Sequence, residues 1–478
     1  MALEIMITVG GSDYYLSDEG HSGASFGATS GSQYYFPFVA VPPRLTWGPT
    51  TGGYISVQIG TLSLINKPYD SNHPFSGTNY RNLLSDAGST SNVPTISIKD
   101  STKYAIFDGT LIPQQITSEI IRFTIEEPRY DFYLAEDTVT DSDGDTVIIP
   151  WPFGEIKGRQ PLIYKGSEVW ANGTSRHPGF NSTSGINIVE EGTNLYSSES
   201  FTATEITGSG GTTYGGKQVS VSFGQGTKLS GDVDDSDDVT EYMSDFHYYI
   251  SRDIGINPSY GINNDKASGS TSLGIAIYQT EPIQDLDLFS RVCDSVNYQF
   301  YITRNQNAGE AGTGATTVYL VDRANNPTAT VLTKNDIIES TYRITRPLAQ
   351  VSTSFISRSW RGTQLANETI DIVSNNLEFG RIIKKPQYMI THKSGSTYEN
   401  VSSVQTTMDA IRDIEKKPIA TVTLSGIQDT YTPGDRFTFN REQDQIKVDM
   451  LARSISWDWA RRQTTLSGDA TLSIFEDS

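Results

Sequence analysis

The chain has 478 residues and carries 56 Asp and Glu against 36 Lys and Arg, a formal net charge of -20 at pH 7. Such a charge repels nucleic-acid phosphates and supplies no counterion release, which argues against a nucleic-acid-binding role for the chain as a whole. The length exceeds one ordinary domain of about 100–200 residues, so three or four domains are expected.

Hydrophobic residues make up 36% and charged residues 19%, with 25 Tyr and 19 Phe. Aromatic residues among plentiful Ser, Thr and Gly suit half-exposed strands joined by turns. The expected fold class is mainly β with a small α/β part, arranged as several β-barrels or sandwiches. Cys293 is the single cysteine, so no intrachain disulfide forms and folding needs no oxidising compartment. The first residues lack a basic and apolar leader pattern, and no apolar run approaches the ~20 residues that cross a bilayer. Neither standard secretion nor a membrane span is expected.

In chain order, residues 1–150 alternate short apolar runs with turn residues, as at Tyr54–Gly60, Thr61–Asn66, Ile96–Ile98 and Ile120–Ile125. Period-two alternation of this kind predicts an N-terminal antiparallel barrel or sandwich. Residues 151–236 form a β segment opening in a proline-rich passage, Ile148 to Gly166, whose prolines bar a central strand and predict a rigid link between β elements. Its Gly/Ser/Thr-rich insert, 197–236, predicts an exposed hairpin or long loop around one strand, Val219–Phe223. Residues 237–345 predict a small α/β domain. One helix is expected after Asp238, with Val239, Tyr242, Met243, Phe246, Tyr249 and Ile250 on one face. A second spans about Ile283 to Val296, with Leu286, Phe289, Val292, Cys293 and Val296 on one face, followed by strands Tyr298–Thr303 and Thr317–Asp322. Residues 346–478 predict a C-terminal β domain with one helix, Ser402 to Lys417, stopped by Pro418. Its closing strands include Ala420–Leu424, Arg436–Phe439, Ile446–Met450, Ile455–Trp459 and Thr464–Leu466, and the alternation slips by one between Met450 and Ile455, as a β-bulge requires.

Motifs for chemistry are incomplete. Gly211 to Lys217 has the glycine and lysine spacing of a phosphate loop, but Gln218 stands where a magnesium-ligating hydroxyl belongs and a strand follows. Gly20-His21-Ser22-Gly23-Ala24 approaches a nucleophile elbow without the final glycine or a strand-turn-helix frame, and reads as a flexible loop. Asp141, Asp143 and Asp145 open like a calcium loop, yet Pro152 replaces the bidentate glutamate, so a hairpin turn is expected and metal binding there is left open. The run Asp232 to Asp238 reads as a helix cap. His21, His73, His177, His247 and His392 show no metal-ligand spacing. Glu126–Glu127 and Glu190–Glu191 read as surface charge. No catalytic, cofactor-binding or metal residue is assigned, no cofactor is expected, and the chain is expected not to be an enzyme.

The order of several frames resembles the hub family of bacteriophage tail tips and baseplates. Gly60-Thr-Leu-Ser-Leu-Ile-Asn66 followed by Tyr104-Ala-Ile-Phe-Asp-Gly-Thr-Leu111 is similar to the family's N-terminal frame. Pro150 to Gly166 resembles its link to the next β element. Lys334 to Phe355 with Trp360, and Tyr431-Thr-Pro-Gly-Asp-Arg-Phe-Thr-Phe439, resemble its small domain and C-terminal β region. The resemblance implies a structural virion protein, made in the host cytoplasm, that forms a homotrimeric ring closing the tail tube. It implies contacts with the tube or distal tail protein, the tape-measure protein, and a fibre or receptor-binding tip. Separately, the negative charge of the chain would suit an acidic lumen along which DNA passes without sticking during ejection. The insert at 197–236 has no place in that frame. The alternative is a receptor- or carbohydrate-binding tail spike or adhesin.

Overall fold

The computed structural model describes residues 2–25, 32–50, 53–84, 93–99, 105–127, 281–295, 298–305, 315–346 and 412–474, and elsewhere only the backbone of short strands. The described chain is mainly β, as its composition predicts.

The first sheet starts from a simple alternation. In β1 (Glu4–Val9), Ile5, Ile7 and Val9 are buried while Glu4, Met6 and Thr8 are half-buried on the other face. The next strand, β2 (Ser12–Ser17), returns antiparallel, with Val9 opposite Ser12. The two-residue link, Gly10 and Gly11, has φ of 59° and 78°. Positive φ at both positions makes a tight primed turn that matches strand twist, and only glycine enters it freely.

The strands β3 (His21–Ala24) and β4 (Ser32–Tyr35) pair with each other. They are followed by β5 (Val39–Val41), β6 (Arg44–Pro49), β7 (Ile55–Ile59), β8 (Leu62–Ile65), β9 (Thr95–Lys99), β10 (Ala105–Ile116) and β11 (Ile120–Glu126). The first sheet has seven strands in the order β2-β1-β9-β10-β11-β8-β5. Pro113 sits in β10 where the register shifts between Pro113 and Gln115. A proline is tolerated there because a bulge already interrupts the ladder.

The sequence predicts only β structure in this region, yet a helix, α1 (Gly77–Leu84), lies between β8 and β9. Tyr80 and Leu83, three residues apart, pack on the core, and the Asn79 amide donates to the Pro74 carbonyl at 3.0 Å. Three apolar residues in eight, Tyr80, Leu83 and the exposed Leu84, leave too weak a periodicity to announce a helix.

The mid-chain helix, α2 (Asp285–Ser295), falls inside its predicted span. Its buried face is Leu288, Phe289, Val292 and Cys293, whereas Leu286 is half-buried. Phe289 meets Phe300 at 4.4 Å between ring centroids. The strands β12 (Tyr298–Asn305) and β13 (Ala315–Asp322) follow as predicted, pair antiparallel, and stack the Tyr301 and Tyr319 rings at 4.8 Å. Gly53 ties this unit to the N-terminal part: its N–H donates to Ser290 and its carbonyl accepts from Phe300.

The second sheet gathers β14 (Thr330–Val331), β15 (Arg343–Thr345), β16 (Ile419–Ser425), β17 (Arg436–Arg441), β18 (Ile446–Asp458) and β19 (Gln463–Ile474) in the order β14-β17-β18-β19-β16-β15. The predicted slip in alternation is a bulge in β18, where the register against β19 shifts between Ala452 and Ser454. Before the bulge β18 pairs with β17, and after it residues 455–458 pair with β6, which carries β7 on its other side. Thus the hairpin at 44–59 is a member of the sheet built by the end of the chain.

Both sheets share one core. Trp457, fully buried, donates its indole N–H to the Gln428 carbonyl at 2.8 Å and meets Trp47 edge-on at 5.8 Å. Trp47 in turn packs on Tyr301 at 4.9 Å. Each such large apolar side chain contributes roughly 1.5–3 kcal/mol by leaving water.

Two expectations for the middle of the chain change. The proline-rich passage contains strands Trp151–Phe153, Ile156–Arg159 and Leu162–Tyr164. Pro152 is accommodated because among the described residues its strand pairs only with Ile277–Gln279, so the missing N–H interrupts no wider ladder there. Val219–Phe223 is a strand, as expected, but it lies inside a four-stranded sheet between Ile156–Arg159 and Ile186–Glu191, where an exposed hairpin or long loop around it was expected. Of the helix expected over 402–417, residues 412–415 are helical, Ile414 is buried, and Pro418 follows. Val404, Met408 and Ile411, and the helix expected after Asp238, lie outside the described residues.

Candidate functional site

The nucleophile-like Ser22 is on a strand and not in a flexible loop. It lies in β3 opposite Tyr34, and the strand is held by its neighbours. The His21 ring stacks on Tyr35 at 5.4 Å and reaches Glu4 at 2.8 Å, while Gly23 leaves room for Glu4 and Tyr35, whose ring would lie 2.9 Å from an added Cβ. Lys99, with a side chain 2% exposed, donates to Glu4 and to the Ala24 carbonyl, the latter at 2.9 Å. A buried ammonium needs this kind of compensation. The sequence could not bring these groups together, because Glu4, His21, Tyr35 and Lys99 come from four strands.

The other candidates separate. Glu126 ends β11 exposed, and Glu127 is half-buried, accepting a bond from the Tyr54 hydroxyl at 2.9 Å. Burial pushes the Glu127 carboxyl up, more than the Tyr54 hydroxyl and the Val57 backbone pull it down. A raised carboxyl favours the folded state below its unfolded value and loses that advantage as pH rises through the folded value. Glu127→Gln is therefore expected to raise the urea midpoint at pH 7 and to leave it unchanged at pH 3; a lowered midpoint at pH 7 would contradict this.

Glu190 and Glu191 lie in the strand Ile186–Glu191, opposite Ser220 and Val219. Asp141, Asp143 and Asp145 lie outside the described residues; the strands either side of them, Thr138–Thr140 and Thr146–Ile148, pair antiparallel. Gly211 to Lys217, Asp232 to Asp238, His177 and His247 are outside as well. His392 sits in a strand opposite Leu273. His73 is buried, its Nδ1 accepting from the Phe75 N–H at 3.1 Å, and burial holds it below the ordinary imidazole value. Cys293 is on the buried face of α2. Among the described residues no three His, Cys, Asp or Glu side chains are placed to hold a metal ion, and no helix is long and apolar enough to cross a membrane.

What the fold does present is sheet edges. The first sheet ends at β5, where Ala40 and Val41 are exposed and the register shifts between Val39 and Val41. The second ends at β14 and β15, and Val331 in β14 is 71% exposed. Unpaired backbone groups along such edges are ready partners for another strand. In the second sheet, next to the start of β15, lies a cleft lined by Tyr342 and Phe439, whose rings meet edge-on at 6.0 Å. Arg441 covers Tyr342 at 4.3 Å, and Lys334 bridges Glu442 at 3.1 Å and Glu339 at 3.9 Å on the rim. Sequence reasoning assigned none of these residues, since no local pattern says which strand will be last in a sheet.

No protein-family model and no curated protein matches the chain. Solved structures similar to it include a 43 kDa prophage tail protein of Shewanella oneidensis, 10% identical over 98% of both chains with a TM-score of 0.40. A tail protein of Neisseria meningitidis is 9% identical over 98% of this chain and 97% of its own, at 0.43. A prophage tail protein of Listeria monocytogenes is 10% identical over 97% and 94%, at 0.38. At these identities and scores the likenesses settle no function.

Proposed function

We propose that the chain is a structural protein of a bacteriophage tail, a hub of the tail tip or baseplate that assembles as a ring and joins the tube to the parts below it. The observation that carries the reading is the set of strands that are edges among the described residues, β5 with Val41 and β14 with Val331, at the ends of two sheets that share one core. Strand edges that pair with neighbouring subunits serve assembly and remove an aggregation hazard. The order of the sequence frames from Gly60 to Phe439 supports the same assignment, and the net charge of -20 suits a wall along which DNA passes without adhering.

Light scattering on the purified chain, with negative-stain averages, is the test. Trimers or rings with a lumen are expected, alone or after mixing with a tail-tube protein. Val331→Lys is expected to weaken the assembly without altering the monomer's circular dichroism. A chain that stays monomeric both alone and with the tail-tube protein overturns the reading. A receptor-binding role has one observation in its favour, Tyr69, 99% exposed beside an Asp70 carboxylate that accepts the Asn72 N–H at 3.0 Å. Binding of the monomer to host cells, lost in Tyr69→Ser, would select that role instead.

A further inference from the structure

Both ring nitrogens of His21 face oxygen acceptors. Nδ1 lies 2.8 Å from the Glu19 backbone carbonyl, and Nε2 lies 2.8 Å from a Glu4 carboxylate oxygen. A carbonyl cannot donate, and the Glu4 carboxylate, whose other oxygen takes the Lys99 ammonium, is an acceptor as well. A neutral imidazole carries one N–H and satisfies one of these contacts; only the doubly protonated ring satisfies both.

We propose that His21 is a proton-operated clasp: as an imidazolium it fastens strand β3 to Glu4 of β1 and to the backbone at Glu19, and loss of its proton loosens the β3–β4 hairpin.

The groups around the ring set the balance. Glu4 on β1 and Asp18 and Glu19 after β2 are acidic, and Asp18 and Glu19 are shared with Arg462 of the β18–β19 turn. Lys99 on β9 is the opposing cation, Tyr35 on β4 is stacked on the ring, and Tyr15 on β2 meets Tyr35 edge-on at 6.0 Å. Burial pulls the imidazole down, but the Glu19 carbonyl, Glu4 and Asp18 together outweigh it and hold it above its ordinary value of 6.5. With a raised folded value, the stabilisation is fully present below pH 6.5 and is lost as pH rises through the folded value. Lys99 keeps its own bonds to Glu4 and Ala24, so the neighbouring contact persists while the clasp opens.

The experiment is a pH titration of the full chain with 15N-labelled histidine rings, the His21 signals being identified by their loss in His21→Gln. A midpoint above 6.5 with both nitrogens protonated below it is expected, lowered in Glu4→Gln. Amide exchange in β3 and β4, corrected for intrinsic rates, should rise above that midpoint. The loosened population should grow about tenfold for each unit by which the midpoint exceeds the unfolded value, and the rise should be absent in His21→Gln. A midpoint at or below 6.5, or exchange in β3 and β4 that stays flat through a raised midpoint, overturns the proposal. Should Glu4→Gln fail to fold because Lys99 loses its anion, the wild-type titration with its exchange profile decides alone.

Discussion

Gly468→Val is expected to destabilise the chain by about 3 kcal/mol or more, a cost at the upper end for overpacking because the obstacle is backbone. Gly468 faces the bulge in β18, and a Cβ there would stand 2.6 Å from the Leu451 carbonyl carbon and 2.8 Å from the Ala452 Cα. A side-chain neighbour could rotate away, but these atoms are held by pairing with β17 and β19 on either side. Relief would require moving the bulge, which redirects β18 from β17 to β6. Gly48 in β6 supplies the control, because its added Cβ meets nothing closer than Ser454 Oγ at 3.4 Å. Gly48→Ala is expected within about 1 kcal/mol of the wild type, the lost freedom of the unfolded chain offsetting small adjustments. Urea midpoints on both variants check the pair, and equal effects would show that the approach at Gly468 is not what limits the strand.

Asp469→Ala is expected to cost about 3–5 kcal/mol, the range for removing one partner from a buried ionic cluster. Asp469 in β19 is buried and accepts from Arg323 Nε and Nη2, both at 3.2 Å, on one oxygen and from Arg453 Nη1 at 3.1 Å on the other. Arg323 follows β13 and is itself 9% exposed, while Arg453 is the extra residue of the bulge. Removing the carboxylate therefore strips a shared anion from two guanidinium groups drawn from distant parts of the chain. Asp469→Asn should recover part of the loss, since an amide oxygen still accepts from one arginine. Lys334→Ala, which breaks only exposed ion pairs at the cleft rim, should leave the midpoint unchanged. A tolerated Asp469→Ala would mean that water replaces the carboxylate at this site.

Much of the fold was legible wherever the signal was local. Alternation located β7, β8, β9 and β11, and a one-residue slip in the same pattern located the bulge before any partner strand was known. Pro418 marked a helix stop, and the apolar spacing of Phe289, Val292 and Cys293 marked α2. The failures share the opposite property. Gly20–Ala24 looks like a loop because its glycine and serine carry no strand signal; His21 and Tyr35, together with Glu4 and Lys99 from two other strands, hold it extended. The α1 helix is set by two core contacts rather than by propensity, and Trp151–Phe153 is a strand because a partner more than a hundred residues away supplies the pairing. The edge residues Val41 and Val331 were beyond reach for the same reason, since an edge is defined by strands elsewhere.

The pairing of residues 44–47 with residues 455–458 has a consequence for how the molecule is made. A ribosome finishes the hairpin at 44–59 long before it makes the strand that receives it, so the second sheet cannot close on a nascent or truncated chain. Contacts of such sequence separation form late and slowly. The same delay gives quality control at no extra cost: a prematurely ended product lacks the surface on which its own N-terminal hairpin and Trp47 must settle. Incomplete copies would then be left with an unfinished sheet for proteases to find.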